Sequence, residues 1–308
     1  MSTPVRSVIA LVNPNSRNGA GRATATAAVD ALRRRGVEVM TRMGLDVADA
    51  RLAAVEAVRS DADAVVVIGG DGTIGPVLDA ARGTSTRVGL IPAGTGNDHA
   101  RALGIPTDDP EAAVDIVVAG HSRRVDLGLI TTTAGEFVFG TVAAIGLDAA
   151  VTERAVAMRR PRGQSRYALA AIAEIMALAP RHFRVTVDGE TREMDLVMAS
   201  VGNTPSYGGG MRICPDALID DGLLDVTLVE YAPRRRLLRL FPTIYRGTHV
   251  SRPEVHTMRG RHVVIEAADP APASADGELM GTTPVTVDVL PAAIEFLVPP
   301  TGEVTSSM

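Results

Sequence analysis

Ala64-Val65-Val66-Val67-Ile68-Gly69-Gly70-Asp71-Gly72-Thr73-Ile74-Gly75 is an apolar run that empties into a glycine-rich loop carrying one acid. Four β-branched residues in succession, bounded by glycine, read as a buried strand. The glycines at 69, 70 and 72 have no Cβ and can take φ > 0. Backbone N–H groups can therefore close on phosphate oxygens, with the positive end of the following helix added to them. Asp71 stands where a magnesium ion would need a ligand. The plainer alternative is a tight β-to-α turn whose Asp caps the helix.

A second loop of the same kind follows a second short apolar strand, Val88 to Ile91. It reads Pro92-Ala93-Gly94-Thr95-Gly96-Asn97-Asp98-His99 and leads into a helix from about Ala100 to Leu103. Loops after successive strands of a parallel α/β sheet gather at its carboxyl edge, where ligands bind at the topological switch point. Asp71 and Asp98 can then serve one nucleotide and its metal. The alternative makes Asn97 and Asp98 helix-start residues only.

Upstream, Val8 to Val12 reads as a buried strand and Asn13-Pro14-Asn15-Ser16-Arg17-Asn18-Gly19-Ala20-Gly21 as the loop after it. A helix over about Ala23 to Arg35 is closed by Gly36. Val37 to Met40 is a second strand, and Ala48 to Arg59 a second helix. Three β-loop-α units in order indicate a doubly wound parallel sheet. Gly19-Ala20-Gly21 lacks the third glycine of a dinucleotide fingerprint, Thr24 standing in its place, and the next strand ends at Thr41 with no acid for a ribose, which argues against a dehydrogenase. Thr41 is either a nucleotide contact or an edge-strand threonine.

Beyond Arg123 the texture becomes β-rich, with short strands at Val125 to Ile130, Phe137 to Ala143, Phe183 to Val187, Leu196 to Val201, Leu223 to Val229, Val263 to Glu266 and Val285 to Leu290. Asp188-Gly189 marks a hairpin. Helices interrupt at about Ser165 to Ala179 and Pro233 to Tyr245, and Ala267 to Ala275 reads as an Ala/Pro-rich loop. A last strand, Ala293 to Val298, precedes Pro299-Pro300 and a polar tail expected to fray. At 308 residues, two domains are expected.

Composition narrows the chemistry. Lysine is absent, so all 31 basic side chains are arginine, which removes a Walker A loop and any lysine nucleophile. A net charge of −5, 3 % aromatic residues and no Trp argue against a general nucleic-acid binder. Cys214 stands alone, so an internal disulfide and a cysteine zinc cluster are excluded, and it reads as a small core residue. Met1 to Arg6 runs into the first strand with no leader pattern, and no run of about 18 apolar residues is present. A cytoplasmic setting is expected; a homodimer is left open.

Asp276-Gly277-Glu278 sets two carboxylates around a glycine, a backbone that can bend both toward a cleft. Phosphoryl transfer to an alcohol needs in-line positioning, charge neutralisation and a carboxylate to accept the hydroxyl proton. The alternative is an Asp-Gly surface turn. Asp220-Asp221-Gly222-Leu223-Leu224-Asp225 offers hard oxygen ligands around a flexible turn, which suits Mg²⁺ or Ca²⁺, or else is a hairpin. Tyr207-Gly208-Gly209-Gly210 is a further close-approach loop, functional or mobile.

Gly69-Gly70-Asp71-Gly72-Thr73, Pro92 to Asp98, Asp220 to Asp225 and Asp276-Gly277-Glu278, in that order, resemble the bacterial soluble diacylglycerol kinase and lipid kinase family over nearly the whole chain. Asn13-Pro14-Asn15-Ser16 is similar to that family's opening loop, with a departure in the glycine spacing. The resemblance implies an N-terminal α/β nucleotide-binding domain (1–124, with 291–308 returning to it) and a C-terminal β-sandwich that takes the lipid (125–290). It implies ATP bound through Asn13, Thr41, Gly69, Gly70, Asp71, Gly72, Thr73, Ile74, Gly75, Gly94, Thr95, Asn97 and Asp98, with Asp71 and Asp98 in the Mg²⁺ network. Glu278, helped by Asp276, would be the base, and Asp221 with the backbone oxygens of Leu218 and Leu223 would hold a structural Mg²⁺. The implied reaction makes phosphatidic acid from diacylglycerol. An NAD kinase and a nucleotide sensor without turnover are the alternatives. Because diacylglycerol is membrane-borne, Arg154, Arg159, Arg160, Arg162 and Arg166, and Arg234, Arg235, Arg236 and Arg239, are expected to support peripheral, reversible attachment to an anionic leaflet, or else to be solvated helix faces.

Overall fold

Four apolar runs make the parallel centre of the first unit: β1 (Ser7–Val12), β2 (Glu38–Met43), β3 (Ala64–Gly69) and β4 (Arg87–Pro92). In this computed structural model the described residues are 3–13, 20–44, 46–158 and 164–300, with backbone alone at 20, 21 and 164–168. β3 is buried at all six positions and β1 and β4 at five of six, as strands covered on both faces must be. β2 pairs only with β1, from Ser7↔Glu38 to Val12↔Met43, and is exposed along most of its length. That register carries it to Met43, past the expected end at Met40: the partner strand, not local composition, sets its length.

The intervening helices are α1 (Ala20–Arg34), α2 (Val47–Val58), α3 (Asp71–Ala81), α4 (Asp98–Ala102) and α5 (Pro110–Ala119). Asp46 caps α2 by accepting Asp49 N–H at 2.9 Å, and Asp109 caps α5 through Ala112 N–H at 3.0 Å. Gly36, at φ +81, ends the first helical stretch, where a side chain would be strained. α3 contains Gly72, Gly75 and Pro76, poor helix formers. Burial of Ile74, Val77, Leu78 and Ala81 holds it in place.

The chain divides at Val125/Asp126 and Pro291/Ala292 into two units, the first comprising the N-terminal part and the segment from Ala292 onward. Elements of the second unit are β5 (Ser122–Thr132), which begins in the first, β6 (Gly135–Phe139), β7 (Val142–Gly146), α6 (Leu147–Ala157), α7 (Gln164–Ala177), β8 (Arg181–Val187), β9 (Glu190–Gly202), β10 (Leu224–Glu230), α8 (Arg234–Ile244), β11 (Val255–Gly260), β12 (His262–Ala267), β13 (Pro272–Ala275), β14 (Glu278–Thr282) and β15 (Val285–Leu297). β15 returns to the first unit, where Glu295 and Phe296 pair in parallel with Arg87 and Val88 of β4.

β9 organises the second unit. Its first half, Glu190 to Leu196, pairs with β8, and its second half lies between β7 and β10. The first half is partly exposed and the second is buried at every position, so one strand passes from one layer of a β-sandwich-like fold into the other. Phe183, Val185, Leu196, Val226, Val263, Ile265 and Val285 fill one core from both layers. Helices α6 to α8 cover the outer side of the β7–β9–β10 layer, packing Ile175, Leu237 and Leu240 with Val142, Val197 and Val229.

Four sequence expectations are corrected here. The strand read over 137–143 is two, β6 and β7, broken at Gly140-Thr141. The two last strands are one, β15, with Ala292 at φ +47 inside it. Part of the Ala267 to Ala275 loop is β13, whose small residues pair with Ala143 to Ile145. Helices α5 and α6 and strands β11 and β14 were not anticipated at all.

Candidate active site

The strand order of the first unit is β2-β1-β3-β4 followed by the end of β15, so consecutive strands lie on opposite sides of β1. The direction of winding reverses between β1 and β3, which is where a doubly wound sheet opens a crevice at its carboxyl edge. Asn13 ends β1 and donates from Nδ2 to Thr73 Oγ1 at 3.4 Å, tying the two sides together. The continuation of that loop, Pro14 to Gly19, lies outside the described residues, as do Arg159, Arg160 and Arg162; of Arg166 only the backbone is described.

The two glycine loops meet backbone to backbone. A Cβ on Gly94 would lie 2.4 Å from Gly70 Cα, and one on Gly69 would lie 2.5 Å from Thr73 Oγ1. None of Gly69, Gly70 and Gly72 adopts φ > 0; Gly70 is extended at φ −104. Missing side-chain volume, not left-handed backbone, is what the first loop requires. At Gly72 and Gly75 an added Cβ would meet nothing within 4 Å. No described protein atom demands glycine there, so those two leave backbone open to an approaching group. A cavity of about 20 Å³, lined by Gly70, Asp71, Asn97 and His99 among apolar side chains, has room for about one water and not for a nucleotide.

Asp71 is not the cap of α3, a place held by Gly70. Its Oδ1 accepts His99 N–H at 3.2 Å and sits 3.1 Å from His99 Nδ1. Asp98, buried at 4 % exposure, takes Arg101 Nη1 on its own Oδ1 at 2.9 Å. The remaining oxygens turn toward one point: a Cβ on Gly96 would lie 2.6 Å from Asp71 Oδ2 and 3.3 Å from Asp98 Oδ2. Among the described residues no group of three acidic, His or Cys side chains gathers. Mg²⁺ is commonly held by one or two carboxylates, with water and substrate phosphate completing its shell, so these residues fit such an ion.

Asn97 does begin α4, at φ +55, but its amide closes the loop on itself, accepting Gly94 N–H at 2.9 Å and donating to Gly94 O at 3.0 Å. Ile74 is buried and can offer only backbone, whereas Thr41 on edge strand β2 and Thr95 are exposed.

In the second unit the paired acids separate. Asp276 (φ +49) and Gly277 (φ +80) form the two-residue turn between β13 and β14, a conformation that Asp-Gly favours. The Asp276 carboxylate folds back to accept Gly140 N–H and Thr141 N–H, both at 2.8 Å, and Thr141 Oγ1 at 2.5 Å. It therefore holds the turn. Glu278, first residue of β14, is exposed, and its side chain makes no hydrogen bond or ion pair among the described residues.

At the expected ion site, Asp221 Oδ1 accepts Leu223 N–H at 3.1 Å while Oδ2 pairs with Arg259, which also reaches Asp225 at 3.1 Å. Leu218 is 56 % exposed. Arg259 thus supplies to Asp221 the positive charge that an ion would, and as arranged the residues fit an arginine. Tyr207 and Met211 exchange backbone hydrogen bonds at 3.1 and 2.9 Å around Gly208 to Gly210, a closed hairpin. Burial pushes the Asp148 carboxyl up to about 6, with a hydrogen bond from Tyr207 opposing the rise.

Sequence reasoning missed His99, Arg101, Thr141 and Arg259. Arg101 carried a local signal, three residues after Asp98 on one helix. The others are paired across 28 residues or more and carried none.

Residues 7–130 match the model for the diacylglycerol kinase catalytic domain, and residues 140–298 the YegS C-terminal NAD kinase beta sandwich-like domain. A diacylglycerol kinase of Mycobacterium tuberculosis (strain CDC 1551 / Oshkosh) is 47 % identical over 298 residues, 96 % of each chain. One of Bacillus subtilis (strain 168) is 28 % identical over 251 residues, 81 % of this chain and 82 % of the other. In fold, the chain is similar to a solved diacylglycerol kinase from Bacillus anthracis str. Sterne, with a TM-score of 0.77, 24 % identity and coverage of 97 % and 99 %.

Proposed function

The chain belongs to the diacylglycerol kinase catalytic-domain family and is a lipid kinase, and on that premise we propose that it transfers the γ-phosphoryl group of ATP to diacylglycerol, giving phosphatidic acid and ADP. The observation that carries the nucleotide half is the convergence of Asp71 and Asp98 beside Gly96, at the carboxyl edge where two Cβ-less loops touch. Backbone N–H groups of the Gly69 to Gly75 loop bind phosphate oxygens, Asn13 and Thr73 hold the loop ends together, and Gly94 allows the second loop to close. Asp71 and Asp98 would hold Mg²⁺, which would supply positive charge against the phosphates. His99 and Arg101 hold the Oδ1 atoms of those carboxylates and so fix their orientation.

The acceptor hydroxyl forms the new O–P bond as the bond from the γ-phosphorus to the bridging oxygen breaks, and Glu278 takes the hydroxyl proton. Asp276 acts by shaping the turn that begins β14, not on the proton. With no lysine in the chain, cation support for the phosphates comes from arginine and metal. An ion at Leu218, Asp221 and Leu223 is in competition with Arg259, and no step depends on it. Among the described residues no helix is long and apolar enough to cross a membrane.

The test presents γ-labelled ATP and Mg²⁺ with diacylglycerol, a sphingoid base, ceramide and phosphatidylglycerol in mixed micelles, plus NAD. Label in phosphatidic acid is the expected result. Label in NADP, or in another lipid only, overturns the assignment of acceptor.

A further inference from the structure

Helix α7 is apolar on two sides. Its inner side packs Ala170 and Ala171 with Val151 and Ala155 of α6, and Ile175 with Leu237 and Leu240 of α8. Leu169, Ile172 and Met176 fall within about 60° of one another on the opposite side. They are 50, 51 and 56 % exposed, far more than a soluble helix normally leaves in one strip. Glu174 is the only charged side chain described on this helix, and it is turned away, 19 % exposed and paired with Arg154 of α6. Val156 at the end of α6 (62 %), Leu238 of α8 (40 %) and Tyr245 just after it (51 %) are further exposed apolar positions on this helical layer.

Helix α8 supplies charge beside that strip. With Leu237, Leu240 and Ile244 buried, Arg235 and Arg239 stand one turn apart on the outer side with Leu238 between them. Arg236 approaches Glu254 at 3.9 Å and Arg234 reaches Leu178 O at 3.4 Å, but Arg235 and Arg239 have no acidic partner among the described residues.

We propose that the outer faces of α7 and α8 dock on an anionic lipid bilayer, Leu169, Ile172 and Met176 entering the acyl boundary while Arg235 and Arg239 meet lipid phosphates. An uncharged strip beside uncompensated arginines matches a surface that is anionic at its skin and apolar just beneath it. A second copy of the chain fits less well, because a two-fold contact through this face would set the arginines of both copies against each other. The inference rests on the lipid-acceptor reading and adds to it the element that enters the membrane.

The absence of tryptophan gives a clean reporter. Ile172→Trp is expected to shift its emission to shorter wavelength on vesicles of phosphatidylcholine with phosphatidylglycerol, and to be quenched by lipids brominated on their chains. In the otherwise unmodified chain, Arg235→Gln with Arg239→Gln should lower partition onto the same vesicles about 30-fold. Emission indifferent to vesicles, partition indifferent to the arginines, or a blue shift that follows protein concentration without lipid each overturns the proposal. The last of these would mean that a second copy covers the face. Insertion needs no ATP, whereas phosphorylation of a short-chain diacylglycerol dispersed in water needs no vesicle. Failure of the acceptor reading and failure of the docking face therefore appear in different experiments.

Discussion

Replacing Gly72 by alanine separates what the fold needs at the first glycine loop from what a ligand needs. Gly72 lies in the first turn of α3, its φ is not left-handed, and an added Cβ would meet no described atom within 4 Å. A glycine-to-alanine change in a helix is favourable by about 0.5–1 kcal/mol. Gly72→Ala should therefore raise Tm, by about 1–4 °C for a chain of this size. If a phosphate oxygen comes to hydrogen-bonding distance of this backbone, the methyl group stands in its way. Loss of one charge-assisted hydrogen bond of about 1.5–3 kcal/mol then weakens ATP about 10- to 100-fold. Gly94→Ala should behave in the opposite sense. Its Cβ would sit 2.4 Å from Gly70 Cα, against an ordinary carbon contact of about 3.5–4.0 Å, so the loops are forced apart and stability falls by about 1–3 kcal/mol before any ligand is added. Calorimetric ATP titration beside thermal melts reads both quantities. A Gly72→Ala protein that binds ATP as tightly as the parent would refute the phosphate assignment of this loop.

Four further outcomes are expected. Glu278→Gln should lower kcat by about 10²–10⁴-fold while leaving ATP affinity within error; equal turnover would remove Glu278 as the base. His99→Leu should weaken Mn²⁺ binding measured by electron paramagnetic resonance in the presence of ATP, and His99→Asn, which can place a donor near the Nδ1 position, should restore most of it; equal loss in both would make His99 a packing residue only. Burial holds the Asp148 carboxyl up to about 6 against an ordinary 3.8, so the folded chain keeps a proton that the unfolded chain releases. Stability should therefore fall as pH rises from about 4 to 6 and stay lower above it, and Asp148→Asn should flatten that slope and gain on the order of 2 kcal/mol at pH 8. Arg259→Gln should raise the affinity of the Asp221 turn for Mg²⁺ or Ca²⁺, seen as a chelator-sensitive Tm absent from the parent; no such sensitivity would count against an ion site there.

The parts of the fold that were legible are those whose cause is local. A buried parallel strand is a continuous apolar run, a cap is one residue at a helix end, and Asp188-Gly189 needs only its own backbone conformation, φ +46 and +91, to make a hairpin. Even α5 carries local signals, with Asp109 capping, Pro110 in the first turn and Gly120 at φ +68 after its end. β13 could not be read that way. Pro272-Ala273-Ser274-Ala275 has no strand propensity of its own, and becomes a strand because β7 presents Ala143 to Ile145 beside it.

The candidate site divides along the same line, and Asp276 shows why. From sequence, a surface turn and a catalytic acid are rival accounts of Asp276-Gly277-Glu278; the structure shows the turn at Asp276 and Gly277, and the proposed base is Glu278. A two-residue turn between β13 and β14 needs left-handed backbone at both positions, which Asp and Gly tolerate best. Once turned, Asp276 meets N–H groups at Gly140 and Thr141, more than 130 residues away in sequence, and these occupy both its oxygens. With both oxygens engaged by these donors and by Thr141 Oγ1, the carboxylate is committed to the turn. Glu278, one residue beyond the turn and exposed, keeps its oxygens available. The turn chemistry therefore distinguishes the two acids: it takes Asp276 as its own ligand and leaves the Glu278 carboxylate exposed, which is why the proposed base is Glu278.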